Sequence, residues 1–263
     1  MLATYTRLLA GILGSLILLA GAPQEAHGAP FLLTSTVEGQ LEAWLGEGAL
    51  EFTNLYEKAP DSNSLAFHAA ADGRGATFTL MEAIYGDQTY VIGGYNPQSW
   101  SSTDTFSLTP TDAERTAFIY NLTSGTRQDQ RLTTDPFGSS YGLQQAVNYS
   151  LWGPSFGYYG DLYVLNDLVS GVARQGSFGE GPCSEGNTSI LGTPYFVEPC
   201  NTLATEGNGI FFTVGALEVY SFRAADVSPA PVPEPATLTL FGAGLAALAF
   251  RKRRAGIRSS AAR

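Results

Sequence analysis

The sequence predicts an α+β fold that is mainly β: an antiparallel two-sheet sandwich with a few peripheral helices. Three observations predict it. Five runs alternate in polarity or are rich in β-branched and aromatic residues, which suits a pleated, half-buried surface. Gly-rich turns separate those runs, and 13 Tyr with 15 Phe supply enough ring area to fill a core between two sheets.

Taken in order, Ser35-Thr36-Val37-Glu38 has the pattern of a capping box. Val37, Leu41, Trp44 and Leu45 then recur at i, i+4, i+7 and i+8, placing one apolar stripe on a helix that Gly46 and Gly48 end. After Phe52 to Tyr56, the cluster Ala59-Pro60-Asp61-Ser62 reads as a turn into a second short helix, with Asp61 as N-cap and Leu65 to Ala70 as body. Asp72-Gly73-Arg74-Gly75 breaks the chain. The strands follow: Thr77 to Met81, Thr89 to Ile92, Thr116 to Leu122, Asp161 to Leu165 and Ala216 to Phe222. Residues Thr123 to Tyr149 and Gly171 to Gly209 lack periodicity and are expected to be long surface loops. No internal repeat is visible.

Both ends carry apolar runs. Arg7 precedes the run Leu8 to Ala20, and Ala26-His27-Gly28-Ala29 offers small residues for a peptidase, so residues 1–29 read as a cleavable signal peptide cut after Gly28 or Ala29. The second run, Thr237 to Phe250, is followed by Arg251-Lys252-Arg253-Arg254, cations that stop transfer and stay on the cytoplasmic side. At about 1.5 Å per residue this helix measures roughly 21 Å against a hydrocarbon core of about 30 Å, so it anchors only transiently. Just ahead lies Pro233-Glu234-Pro235-Ala236, whose prolines favour an extended, protease-accessible chain. Residues 226–232 form a Pro/Ala/Ser linker before it.

This order of Pro233-Glu234-Pro235, short apolar helix and Arg-rich tail over residues 233–263 resembles the PEP-CTERM sorting signal of Gram-negative bacteria. The resemblance implies recognition by an exosortase, removal of the tail, and delivery to the cell surface or an exopolysaccharide matrix. Signal peptidase and exosortase are thus the expected processing enzymes.

Between the tags, Pro30 to Pro233 holds seven Lys and Arg against 22 Asp and Glu, a formal charge of −15. That field repels nucleic acid and anionic lipid surfaces, so neither is an expected partner of the mature domain. The only cysteines, Cys183 and Cys200, are expected to form a disulfide in an oxidising compartment, closing a loop of about 17 residues that contributes roughly 3 kcal/mol. With no His or further Cys near them, a metal site is not expected there.

A second resemblance covers residues 36 to 223. The order Phe52 to Tyr56, Phe67-His68, Asp72-Gly73-Arg74-Gly75, Thr77 to Leu80, Val91-Ile92-Gly93-Gly94-Tyr95 with Ser99-Trp100-Ser101 is similar to a TLDc domain. Ala117 to Leu122, Gly153-Pro154-Ser155-Phe156-Gly157 with Asp161-Leu162, and Glu218-Val219-Tyr220 continue it. The resemblance implies one TLDc-like domain over residues 30–225. The familiar members are intracellular eukaryotic proteins linked to oxidation resistance and to binding the vacuolar proton pump. This chain departs from them in its cysteine-bearing insertion and its export signals, so that partner is not carried over.

Catalytic candidates are sparse. Gly153-Pro154-Ser155-Phe156-Gly157 matches the G-x-S-x-G elbow, yet the sequence beyond it leads into an apparent strand rather than a helix, and the one mature histidine, His68, precedes the serine. Glu42, Glu47, Glu51, Glu57 and Glu82 are candidates for paired acid and base work, against the plainer reading of solvated faces. Trp100, Trp152, Tyr158 and Tyr159 are candidate ligand contacts able to stack on sugar rings, with core packing as the alternative. No cofactor or metal is expected. The function expected is a non-catalytic domain acting in the cell envelope or its matrix, by structure or by binding exopolysaccharide or an envelope protein. The alternatives are a carboxylate-based hydrolase of polysaccharide and, by family analogy, protection against oxidants.

Overall fold

A computed structural model describes residues 31–135, 141–158, 160–179, 189–193 and 209–226. The expected signal peptide, Tyr159, the Cys183–Cys200 pair, Pro233 to Pro235, the apolar run and its cations all lie outside the described residues. No helix among the described residues is long and apolar enough to cross a membrane.

The first helix, α1, spans Ser35–Leu45, and its stripe is as expected: Leu41 is buried, with Val37, Trp44 and Leu45 packed around the same cluster. Gly46 closes it in the left-handed conformation, its N–H returning to the Glu42 carbonyl. The cap sits one residue earlier than the capping-box pattern puts it, because Thr34 is the residue with extended backbone and its side chain accepts from Val37 N–H. The second helix, α2, spans Ser64–Ala71 and is capped by Asn63, two residues beyond the expected Asp61. Asn63→Ala is therefore expected to lower stability by about 1 kcal/mol, and Asp61→Ala by almost nothing. Urea midpoints at constant m would separate the two.

Among the described residues eleven strands follow the expected mainly β, antiparallel class: β1 Leu50–Glu57, β2 Thr77–Tyr85, β3 Gln88–Asn96, β4 Thr105–Leu108, β5 Phe118–Asn121, β6 Thr126–Asp129, β7 Gln144–Asn148, β8 Ser155–Phe156, β9 Leu162–Val164, β10 Ser170–Ala173 and β11 Ile210–Ala224. All pair antiparallel, in the order β4-β7-β8-β9-β10-β11-β2-β3-β5-β6, with β1 also on β11. Where two separate sheets are predicted, the ladder runs unbroken through β11. That strand has 15 residues, about 50 Å, enough to pair β10 through Ile210 to Thr213 and β1 through Glu218 to Ala224. A register shift between Val214 and Leu217 bends it, and at Gly215 the Glu82 carboxylate occupies the space a side chain would need. Past the bend the two halves face one another, since the Phe156 ring of β8 lies directly against Gly94 of β3.

The alternation on β2 separates two cores. Phe78 and Leu80 join Leu41, Tyr95, Phe118 and Tyr120 under α1, while Met81 and Ala83 face the larger interior with Phe67, Trp100, Phe156 and Leu217. The expected loops are corrected here: Thr123 to Tyr149 contains β6 and β7, and Gly171 to Gly209 opens with β10 and buries Phe178, Ile190 and Leu191. The end of β6 also bonds the chain beyond β10, through Arg131 N–H to Ser177 and Gly179 N–H to Asp129.

Candidate functional site

The catalytic candidates weighed and set aside above are placed as follows in the fold: Ser155 and His68 are both buried. Ser155 lies wholly buried on the two-residue strand β8, paired with Tyr163, rather than at a strand-to-helix elbow. Its Oγ has no hydrogen-bond partner among the described residues. His68 is engaged at both ring nitrogens: Nδ1 lies 2.7 Å from Asp72 Oδ1, and Nε2 lies 3.1 Å from the carbonyls of Tyr149 and Trp152. A serine–histidine pair is therefore not assembled.

The aromatic candidates divide. Trp100 is 1 % exposed, donates Nε1–H to Thr77 Oγ1 at 2.9 Å, and meets Phe67 and Phe156 edge to face. Core packing, the alternative reading, describes it. Trp152 is half-buried and stacks on Tyr163 at 5.0 Å, with the Arg174 guanidinium also over that ring. Tyr158 leans on Tyr141, and its backbone N–H donates to Ser177 Oγ at 2.6 Å.

The carboxylates are dispersed. Glu42 accepts from Leu50 N–H at 2.7 Å, Glu51 pairs with Arg223, and Glu82 accepts from Ala216 N–H at 3.4 Å. Glu57 ends β1 in solvent. Among the described residues no three His, Cys, Asp or Glu side chains are arranged to hold a metal ion.

One carboxylate outside the candidate set is strongly perturbed. Asp161 is buried; its Oδ2 accepts from Gly176 N–H at 2.9 Å and Phe178 N–H at 2.8 Å, while Oδ1 has no hydrogen-bond partner among the described residues. Burial pushes its pKa up to about 6, opposed by the backbone N–H groups of Phe178, Ser177 and Gly176 and by the charge of Arg131. The buried, backbone-facing position makes it a structural group rather than one that meets solute.

A concave feature of the described surface is a cleft of about 470 Å³ between the end of α1 and the β5–β6 hairpin, within the usual size range of small-molecule sites. Trp44, Leu45 and Glu47 form one wall; Tyr95, Thr116, Ala117 and Phe118 form the floor; Arg127, Asp129, Gln130 and Leu132 form the other wall, with Arg115 behind. Gly46 ends the helix so that Glu47 reaches the rim. Arg127 ties hairpin to helix: its Nη1–H donates to the Trp44 carbonyl in the last turn, its guanidinium lies 4.1 Å over Phe118, and it pairs with Asp129. Arg115 donates to the carbonyls of Thr109 at 3.1 Å and Arg131 at 2.7 Å. Burial first, then the charge of Glu47, pushes Tyr95 up to about 12.

Sequence reasoning places Trp44 on the helix stripe but misses the cleft, since its opposite wall falls in a supposed loop. The available signal was Ser124-Gly125, a turn dipeptide between two four-residue strands.

Pro231 to Arg254 match the PEP-CTERM protein-sorting motif. The chain thus carries a signal for exosortase-dependent sorting, and with it the mark of an exported protein. Among curated proteins, none matches the chain.

Proposed function

We propose that this chain is an exported envelope or matrix protein whose β-rich domain acts outside the cytoplasm by binding or by structure, without catalysis. The domain spans residues 30–225 and has the TLDc-like character of its sequence resemblance; residues 226–232 link it to the tail. The observation that carries the reading is the sorting motif at 231–254, which begins seven residues after β11 ends at Ala224. The motif therefore follows the last described strand after only a short stretch of chain, and cleavage within it leaves the described domain whole. The buried Ser155 and the doubly engaged His68 support the absence of catalysis. The TLDc-like assignment rests on the sequence resemblance over residues 36 to 223 alone.

The test is fractionation of the producing cell with mass spectrometry of both ends. The expected product lacks the residues up to Gly28 or Ala29 and those beyond the Pro233-Glu234-Pro235 region, and it is found outside the cytoplasm with Cys183 and Cys200 joined. Uncut chain in the cytosol with free thiols would overturn the proposal.

A further inference from the structure

We propose that the cleft between α1 and the β5–β6 hairpin is a binding site for a neutral saccharide. This rests on the reading of the domain as a binding module and names its ligand class.

A pyranose presents an apolar face of C–H groups and an equatorial girdle of hydroxyls. It needs one flat ring to stack on and, beside that ring, planar polar groups that donate and accept in pairs. The cleft supplies both. Trp44 is half-buried, held from behind by Tyr120 at 5.6 Å, and lines the cleft. Phe118 is already covered by Arg127, so Trp44 is the platform. Next to it stand the Arg127–Asp129 pair and the exposed Glu47.

A second, independent observation points to a ligand. Gln130 lines the same cleft and is 3 % exposed; its Nε2–H donates to Thr109 Oγ1 at 2.6 Å and to the Gly142 carbonyl at 2.7 Å, while Oε1 has no partner among the described residues. A buried amide oxygen without a donor costs about 1–3 kcal/mol, and a ligand hydroxyl would relieve that cost once the Gln130 side chain shifts to admit it from the cleft.

Charge selects neutral over anionic saccharides. Glu47 and Asp129 balance Arg127 and Arg115, and both cations are engaged by protein oxygens. No surplus positive charge remains for a uronate or phosphate, and the mature region as a whole carries −15.

The full chain, purified in detergent, is titrated calorimetrically with neutral glucose, galactose and mannose trisaccharides and with an oligoglucuronate. At least one neutral trisaccharide is expected to bind, with the oligoglucuronate at least tenfold weaker. Asp129→Asn and Glu47→Gln, both at exposed positions and expected to leave the fold intact, each weaken binding about tenfold, the size of one hydrogen bond to a charged group. Trp44→Ala weakens it more, and because Trp44 also packs against the core the two exposed variants carry the decision. No neutral binding, a preference for the glucuronate, or binding indifferent to Asp129→Asn and Glu47→Gln would each overturn the proposal. Release of new reducing ends would leave the site standing but sink the non-catalytic reading; normal export without binding would do the reverse.

Discussion

Replacing Gly93 by alanine is expected to destabilise the fold by about 3 kcal/mol or more and to lower its melting temperature by roughly 6–12 °C. Gly93 lies in register between Leu80 of β2 and Tyr120 of β5. The fully buried Tyr120 hydroxyl donates to the Thr79 carbonyl at 2.8 Å, and that bond passes directly over Gly93. An added methyl would sit 2.8 Å from the hydroxyl and well inside contact with the carbonyl oxygen, which belongs to backbone and has nowhere to move. Alanine would therefore overpack the sheet and strip a buried hydroxyl of its acceptor, two costs of about 1–3 kcal/mol each. Tyr120→Phe removes only the hydrogen bond and is expected to cost about 1 kcal/mol. The double variant should recover part of the alanine penalty. Calorimetric melting of all three decides it: a Gly93→Ala chain melting with the native one would show that the sheet has slack here.

Asp161→Asn is expected to remove a pH dependence worth on the order of 3 kcal/mol, about two pKa units. The native carboxyl titrates near 6 in the fold and near 3.8 when unfolded, so between these values the folded chain holds the extra proton. Stability from this group is complete below about pH 4 and falls as pH rises through 6; above that the buried charge is a constant cost. Asparagine keeps an oxygen for the Gly176 and Phe178 N–H groups and never ionises. The difference in unfolding free energy between variant and native chain should thus grow in favour of asparagine from pH 4 to 7. Asp104, Asp112, Glu114 and Asp167 are shifted the opposite way, below the usual carboxylate range, by N–H and O–H donors, and they cancel in the difference. Parallel urea melts across that range are the measurement, and a flat difference curve would refute the assignment.

The elements that were legible in the sequence are those that carry their own hydrophobic signal. The stripe of α1, the alternation of β2 and the apolar centre of β11 each bury side chains that their local pattern announces. β6 reads Thr-Arg-Gln-Asp and β7 begins Gln-Gln, and neither has a pattern to find. They are strands because β5 and β4 offer ladders to complete, a non-local cause. The shifted caps have a related origin: Thr34 and Asn63 win over Ser35 and Asp61 by having the extended backbone that the arriving chain imposes. The cleft was illegible because its walls lie some 80 positions apart, joined by Arg127 reaching the Trp44 carbonyl. The sorting tail was the clearest feature, being read by a protease as a linear string rather than as a surface.

The placement of β11 has a consequence for biogenesis. Of the described strands synthesis reaches this one last, yet β1, β2 and β10 all need it as a neighbour, and Leu50 waits for Ala224. Emergence in N-to-C order leaves those strands with unpaired rims until almost the whole polypeptide is through the channel. The sheet therefore closes only late in emergence, with the sorting motif at 231–254 following directly behind its closing strand.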